Sequence, residues 1–234
     1  MDDTQVNHMV SAIAHPDHSA HAPTPKMNVG LFEPLGSNCE FGFVLRDLGD
    51  VRPSVFRWTS IAIESLSDLL ESDFQDCFEL SNVRPHTADM VMASRFEWAF
   101  HSALKSDGCG NFSLPEKKLT RLFQIERKRV YHEIDAFRTR LRDGNLVCVF
   151  SADGVTDDQI CRLRSGLDGI AGNQTNRLLV VGGQRTDKDE LGTSKEIAPR
   201  VFRGTVLSLA NYATANEYDV DNWHAVLENF AERG

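Results

Sequence analysis

Long hydrophobic runs are absent from this sequence of 234 residues. No segment approaches the roughly 18 consecutive apolar residues of a membrane-spanning helix, so we expect no membrane partner. The first five residues carry no basic stretch and no apolar segment follows them, which predicts that the chain has no secretory signal.

An excess of positive charge is also missing. The 25 Lys and Arg residues face 34 Asp and Glu residues, which gives a net charge of -9. Nucleic-acid binding needs a positive field over much of one face, so we expect no nucleic-acid partner. The hydrophobic fraction of 41% is ordinary for a folded chain and excludes wholesale disorder.

Cysteine is scarce, and its spacing excludes two structural roles. The five cysteines are Cys39, Cys77, Cys109, Cys148 and Cys161. Their number is odd and no two are spaced as CxxC, which fits neither a disulfide framework nor a zinc ribbon. Without a secretory signal, this pattern predicts a cytoplasmic protein in a reducing compartment.

Motifs for nucleotides and catalytic metals are missing too. The glycine clusters at residues 108–110 and 182–184 lack the spacing of a phosphate loop and of GxGxxG. There is no HExxH and no cluster of carboxylates, so we predict no cofactor and no metal site in the folded part. Near the N-terminus, His15, His18 and His21 can chelate a metal at an entropic cost, or belong to a solvated tail.

The chain divides into a tail and one folded region. Residues 1–27 contain four of the eight histidines and no sustained hydrophobic period, which predicts a flexible tail. From residue 28 onward, apolar runs alternate with amphipathic segments. The continuous apolar runs 146–151 and 177–182 flank a helix capped by Thr156, a pattern typical of a largely parallel sheet covered by helices. We therefore predict a single α/β domain over residues 28–234.

The remaining elements follow from periodicity and capping residues. Helices are predicted over residues 39–48, 60–74, 113–144 with Ser113 as the cap, and 219–232. Further strands are predicted at 29–32, 55–58, 90–92, 96–100 and 206–209. The third helix carries nine basic residues between Lys117 and Arg142, which either form a solvated face or bind an acidic partner.

The turn after the first strand is the most informative feature of the sequence. It reads Leu35-Gly36-Ser37-Asn38-Cys39 and opens a helix. A thiol in the first helical turn meets the positive end of the macrodipole, which favours the nucleophilic thiolate. Free backbone N–H groups there can stabilise an oxyanion. We predict Cys39 as a nucleophile with Ser37 and Asn38 contacting the substrate; the alternative is a buried, inert cysteine.

A thiol nucleophile needs a base and a group that orients the base. His101 follows an aromatic run at residues 96–100, where its ring can be held in one orientation, and it is our first choice. The alternative for His101 is a structural histidine bonded to backbone. Asp153, just past the strand that ends at Ser151, is the predicted orienting carboxylate.

Three segments resemble a bacterial family of domains of unknown function that is described as papain-like cysteine peptidases. They are residues 35–42, residues 56–58 and the aromatic run to His101, and the resemblance extends over most of residues 30–232. It implies that Cys39 is the nucleophile and His101 the base of a thiol-dependent hydrolase or transferase. The implied substrate is an amide or ester in a small molecule, peptide or glycan.

Two positions depart from the pattern of that family. The family's Phe-Asp-Trp is Phe-Arg-Trp here, so Arg57 replaces a carboxylate. Papain-like enzymes also have a glutamine about six residues before the cysteine, where this chain has Glu33. A charge at that position would repel an oxyanion.

A non-catalytic function is the alternative that the resemblance leaves open. Relatives of the family accompany genes for surface polysaccharides, which implies a glycan-binding module. In that interpretation Arg57, Trp58 and Trp98 line a sugar pocket, and the tryptophan rings stack on the sugar. The competing interpretation of both tryptophans is packing in the core.

Overall fold

A computed structural model of the chain describes residues 27–107, 109–183 and 190–233. The predicted tail lies outside these residues except for Met27, and so does the run of histidines considered as a metal site. Within the described residues, no helix is both long and apolar enough to cross a membrane.

Strands and helices alternate along most of the chain. The strands are β1 (Phe32–Pro34), β2 (Thr59–Ser60), β3 (Val83–Pro85), β4 (Met90–Ala93), β5 (Trp98–His101), β6 (Val147–Ser151), β7 (Arg177–Gly183), β8 (Ser194–Ala198) and β9 (Val201–Val206). The α-helices are α1 (Glu40–Asp47), α2 (Ile63–Glu71), α3 (Glu116–Asp143), α4 (Asp157–Ala171) and α5 (Val220–Arg233).

The larger sheet has five strands in the order β1-β6-β7-β9-β8. The first four run parallel, and β8 pairs antiparallel with β9 at one edge. All five residues of β6 are buried, as expected for a strand covered on both faces. The prediction of an α/β fold with a largely parallel sheet is confirmed.

Helices cover both faces of this sheet, and each face is covered by a different pair of helices. On one face, α1 and α5 pack through residues such as Phe41 and Trp223 against Val149 of β6. On the other face, α3 and α4 pack through residues such as Leu163 against Phe150. The chain therefore leaves β1 toward one face and leaves β6, its neighbour in the sheet, toward the opposite face.

A second, antiparallel sheet was not predicted. Its four strands lie in the order β2-β5-β4-β3, and Trp98 of β5 packs between Phe56 and Phe100. The apolar core of this sheet is continuous with the core beneath α3 and α4. Its strands have only two to four residues, too few to establish a period in the sequence.

Several predicted boundaries were wrong. The last strand of the larger sheet is Val201–Val206 rather than 206–209, and β8 was missed because four of its five residues are exposed. The segment 55–58 forms turns before β2, not a strand. The residue before α3 is Pro115, not Ser113, and residues 29–31 form a 3-10 turn before β1.

Candidate active site

The turn between β1 and α1 is clamped between the two sheets. The Leu35 amide donates to the Val149 carbonyl of β6, and the Ile61 amide donates to the Gly36 carbonyl, both at 2.9 Å. Gly36 has φ +76, and a Cβ there would lie 2.2 Å from the Thr59 hydroxyl. Only glycine fits both the backbone angle and the space, so the residues that follow are held in a fixed position.

Cys39 lies at the start of α1 as predicted, but its thiol is buried. The residue is 9% exposed and makes no capping hydrogen bond. Burial, followed by the charge of Asp89, raises the pKa of the Cys39 thiol to about 11. These effects outweigh the helix macrodipole, so Cys39 is a protonated thiol at neutral pH and the expected lowering of its pKa is wrong.

His101 ends β5 with a half-exposed ring that is bound to a carboxylate. Its Nδ1 lies 3.1 Å from Oδ2 of Asp89, which immediately precedes β4. The hairpin register places Met90 opposite His101, and the Ser102 amide donates to the Asp89 carbonyl at 3.0 Å. Burial alone would raise the pKa of Asp89, but His101 and neighbouring donors hold it below its usual value. The pair is therefore aligned by the β4–β5 hairpin itself.

Asp89 links this pair to Cys39. Its carboxylate is near enough to act on the thiol, and both groups also raise the pKa of the Tyr212 hydroxyl after burial does. The Tyr212 hydroxyl donates to the Met90 sulfur at 2.8 Å. Within the described residues no hydrogen bond joins the Cys39 sulfur to the His101 ring. The structure thus places the Cys39 thiol within reach of the Asp89 charge, without a preformed contact between Cys39 and His101 among the described residues.

Asp153, the orienting carboxylate expected from the sequence, lies elsewhere. It follows β6, and its Oδ1 accepts a hydrogen bond of 2.7 Å from the Gly183 amide at the end of β7. The carboxylate bonded to His101 is Asp89, which the sequence analysis missed. An acidic residue directly before one strand of a short hairpin, opposite a histidine that ends the other, was the available signal.

Ser37 and Asn38 fix the turn to the end of β6 and to the segment that follows β9. The Ser37 hydroxyl lies 2.8 Å from that of Ser151 at the end of β6. The Asn38 side chain accepts from the Glu40 amide at 2.8 Å and donates to the Ala210 carbonyl beyond β9 at 3.4 Å. Both residues are half-buried, so each retains surface through which it can contact a ligand.

Arg57 is committed to backbone carbonyls. Its side chain is 4% exposed, and its guanidinium donates to the carbonyls of Gly42, Asp50 and Arg52. The Asp50 carboxylate lies 3.8 Å away. Burial holds the pKa of Arg57 below its usual value, more than Asp50 raises it. A guanidinium used in this way ties the start of α1 to the loop after it and leaves little to bind a sugar.

The two candidate tryptophans differ in position. Trp98 is 1% exposed and belongs to the aromatic core of the smaller sheet. Trp58 is half-buried, with its ring edge-on to Phe43 and the Arg57 guanidinium over its face. Trp98 is therefore a core residue, and of these two tryptophans only Trp58 reaches the surface.

Glu33 points away from the turn into a buried ion pair. The Arg140 guanidinium of α3 binds its carboxylate with two hydrogen bonds of 2.8 and 3.0 Å, and the Ser54 hydroxyl donates a third of 2.6 Å. The carboxylate at the family's glutamine position thus has a structural partner that the sequence did not reveal.

Ion pairs neutralise part of the basic helix. Four of the nine basic residues of α3 pair with carboxylates: Arg127 with Glu79, Arg129 with Glu126 and Glu133, Arg138 with Asp73 and Asp135, and Arg140 with Glu33. This pairing reduces the positive field that an acidic partner would meet.

Within the described residues, no group of three or more His, Cys, Asp or Glu side chains is placed to hold a metal ion. No family model, no curated protein and no solved structure gives a significant match to this chain.

Proposed function

We propose that this protein is a thiol-dependent hydrolase or acyl transferase that acts on an amide or ester. Cys39 is the nucleophile, His101 is the base and Asp89 orients the base. The observation that carries the proposal is the hydrogen-bonded Asp89–His101 pair beside a cysteine at the start of a helix. The residues shared with papain-like peptidases support the same assignment.

The tautomer of His101 follows from its partner. With Nδ1–H donating to the Asp89 carboxylate, Nε2 carries the lone pair that accepts a proton. About half of the His101 side chain is exposed, which leaves room for Nε2 to meet the thiol while Nδ1 keeps its hydrogen bond to Asp89. Asp89 also supplies the carboxylate that the change to Arg57 removes from the family's Phe-Asp-Trp segment.

The raised pKa of Cys39 determines the order of the steps. A thiol with a pKa of about 11 is not ionised beforehand, so its proton moves to His101 Nε2 as the sulfur attacks. The C–S bond forms, the carbonyl electrons move onto oxygen, and backbone N–H groups of the first turn of α1 stabilise the oxyanion. The oxyanion then collapses, the C–N or C–O bond breaks, and His101 gives the proton to the leaving amine or alcohol. Water or a second acceptor attacks the resulting thioester and releases the Cys39 thiol.

The same proposal places the protein in the cytoplasm. Residues 28–234 act as one domain in the cytoplasm, where reducing conditions keep Cys39 a thiol. All five cysteines are unpaired, which supports this placement. The substrate is a small molecule, a peptide or an acylated glycan.

Acylation of Cys39 by 4-nitrophenyl acetate tests the proposal. We expect a burst of about one nitrophenolate per chain, with the acetyl group found on Cys39 by mass spectrometry. Asp89→Asn should slow the burst at least about tenfold, because Asp89 fixes the tautomer and the orientation of the His101 ring. Cys161→Ser, which removes an exposed cysteine on α4, is the control and should leave the burst unchanged. Acetylation that is no slower in His101→Ala contradicts the proposal.

A further inference from the structure

A cleft opens at the carboxyl ends of the parallel strands, beside the Cys39 cluster. Its volume is about 410 Å³, within the range of small-molecule sites. The turn after β1 contributes Ser37, the end of β6 contributes Asp153, and the start of α2 forms the opposite wall. Cys39 and His101 do not line it, so it is a separate site.

The cleft coincides with the point where the chain changes faces. From β1 the chain passes to α1 on one face of the sheet, and from the adjacent β6 it passes to α4 on the other. In open α/β sheets, ligands bind in the crevice outside the strand ends at such a switch point. The position of the cleft therefore supports a ligand site independently of the residues that line it.

The lining selects the charge of the ligand. Asp153 and Glu64 are exposed carboxylates in the wall, and among the described residues no basic side chain lines the cleft. One oxygen of Asp153 is held by the Gly183 amide and one oxygen of Glu64 by the Gln159 amide. In both carboxylates the second oxygen is left to accept, so the cleft presents negative charge and hydrogen-bond acceptors.

The N-terminus of α2 contributes positive charge to the cleft, but less than the negative charge of the two carboxylates. Ala62 precedes the helix without a side-chain cap, and it lines the cleft together with Ile63 and Glu64, so the N-terminus of α2 lies at the cleft wall. A helix N-terminus is equivalent to roughly half a positive charge. Two full negative charges exceed it, so phosphate and carboxylate ligands are repelled.

We propose that this cleft binds a primary ammonium group on a small polar carrier. The ammonium group donates to the unengaged oxygens of Asp153 and Glu64, and the Ser37 and Ser60 hydroxyls bind the carrier. Apolar residues, including Ile63 and Val155, form the rest of the wall. The rim is preformed, because the Gln159–Glu64 hydrogen bond already joins α4 to α2.

Titration of the isotope-labelled full chain with matched sugars tests this proposal. Amide shifts are followed by NMR at slightly acid pH for glucosamine, glucose and a glucose monophosphate, which differ mainly in charge. We expect saturable shifts at cleft residues with glucosamine, at least about fivefold weaker binding of glucose, and none of the phosphate. Ethanolamine, a second ammonium probe, should shift the same amides.

Variants locate the binding and separate it from folding. Asp153→Asn keeps the oxygen that accepts from Gly183 and should weaken glucosamine binding about fivefold, as should Glu64→Gln. Asp158→Asn, an exposed carboxylate of α4 outside the cleft, is the matched control and should bind normally. Melting temperatures close to wild type show that each variant is folded.

Three results overturn the proposal: no saturable binding of either ammonium probe, equal binding of glucosamine and glucose, or unchanged binding by Asp153→Asn. Each leaves the acylation of Cys39 untouched, since Cys39 lies outside the cleft. Failure of Cys39 to acylate would likewise leave this binding unaffected.

Discussion

Two buried glutamates flank the turn that carries Cys39, and their surroundings differ. Glu33 is 2% exposed and meets a full positive charge from Arg140 together with the Ser54 hydroxyl. Glu40 is fully buried, and its Oε1 accepts a hydrogen bond of 2.8 Å from the Trp223 indole, with no cation paired to it among the described residues. A buried carboxylate with a cation stays charged, whereas one without a cation resists ionisation.

The second oxygen of Glu40 has no partner of hydrogen-bond geometry among the described residues. Burial raises the pKa of Glu40 to about 7, although Trp223, the Ala210 amide and Asn38 lower it; the charge of Asp219 raises it further. Glu33 therefore acts as an anchor for α3, while Glu40 is a carboxyl that gains or loses its proton near neutral pH. The two glutamates respond to different perturbations.

The largest expected effect is the loss of the cation at Glu33. Arg140→Met leaves that carboxylate buried and uncompensated, which should cost about 3–5 kcal/mol of unfolding free energy. Urea denaturation measures the change. Arg138→Met on the same helix is the control, because its partners Asp73 and Asp135 are exposed, and it should cost about 1 kcal/mol or less. Equal losses in the two variants would remove the distinction between Glu33 and a surface ion pair.

The second expected effect is a pH dependence that comes from Glu40. Its folded pKa of about 7 lies above the ordinary value of 4.5 for a glutamate, so the folded state binds the proton more tightly. This stabilisation is complete below the unfolded pKa and is lost as pH rises through about 7, up to roughly 3 kcal/mol.

The variant Glu40→Gln isolates that contribution. It should flatten the fall in unfolding free energy between acid and neutral pH, as measured by urea denaturation at several pH values. Glu33→Gln serves as the comparison and should not remove the fall. A wild-type stability that does not decline over this range would show that Glu40 is ionised throughout.

The smallest expected effect concerns the single hydrogen bond from Trp223 to Glu40. Trp223→Phe keeps an aromatic ring in the core but removes the donor, which should cost about 1–3 kcal/mol. Trp98→Phe is a matched control, since the Trp98 indole N–H has no hydrogen-bond partner among the described residues. Thermal melts of the two variants should therefore differ, and a Trp98 variant that loses as much as Trp223 would assign the cost to ring volume alone.

The sequence predicts the two central strands β6 and β7 and the helix between them, for physical reasons. The run at β6 and the Thr156 cap of α4 are local signals, and the structure has both, with a full capping box at Thr156. The position of Cys39 at a strand-to-helix turn is equally local. These features depend on residues within one element, where periodicity and capping chemistry act.

The features that the sequence did not predict depend on contacts between residues that are distant along the chain. Asp89 becomes the partner of His101 only through the register of a hairpin with four-residue strands. Arg57 is buried because three carbonyls converge on it from α1 and from the loop that follows α1. Neither arrangement leaves a period or a motif, and burial reverses the direction of the pKa shift that the helix start alone would give to Cys39.

The edges of the larger sheet have a consequence for solubility. At one edge, β1 has three residues and includes Pro34, which has no N–H with which to pair with an incoming strand. At the other, β8 presents exposed Lys195 and Glu196, charges that oppose stacking of further strands. Growth of the sheet into aggregates is thus blocked at both ends by backbone chemistry and charge, in a protein whose central strands are almost entirely apolar.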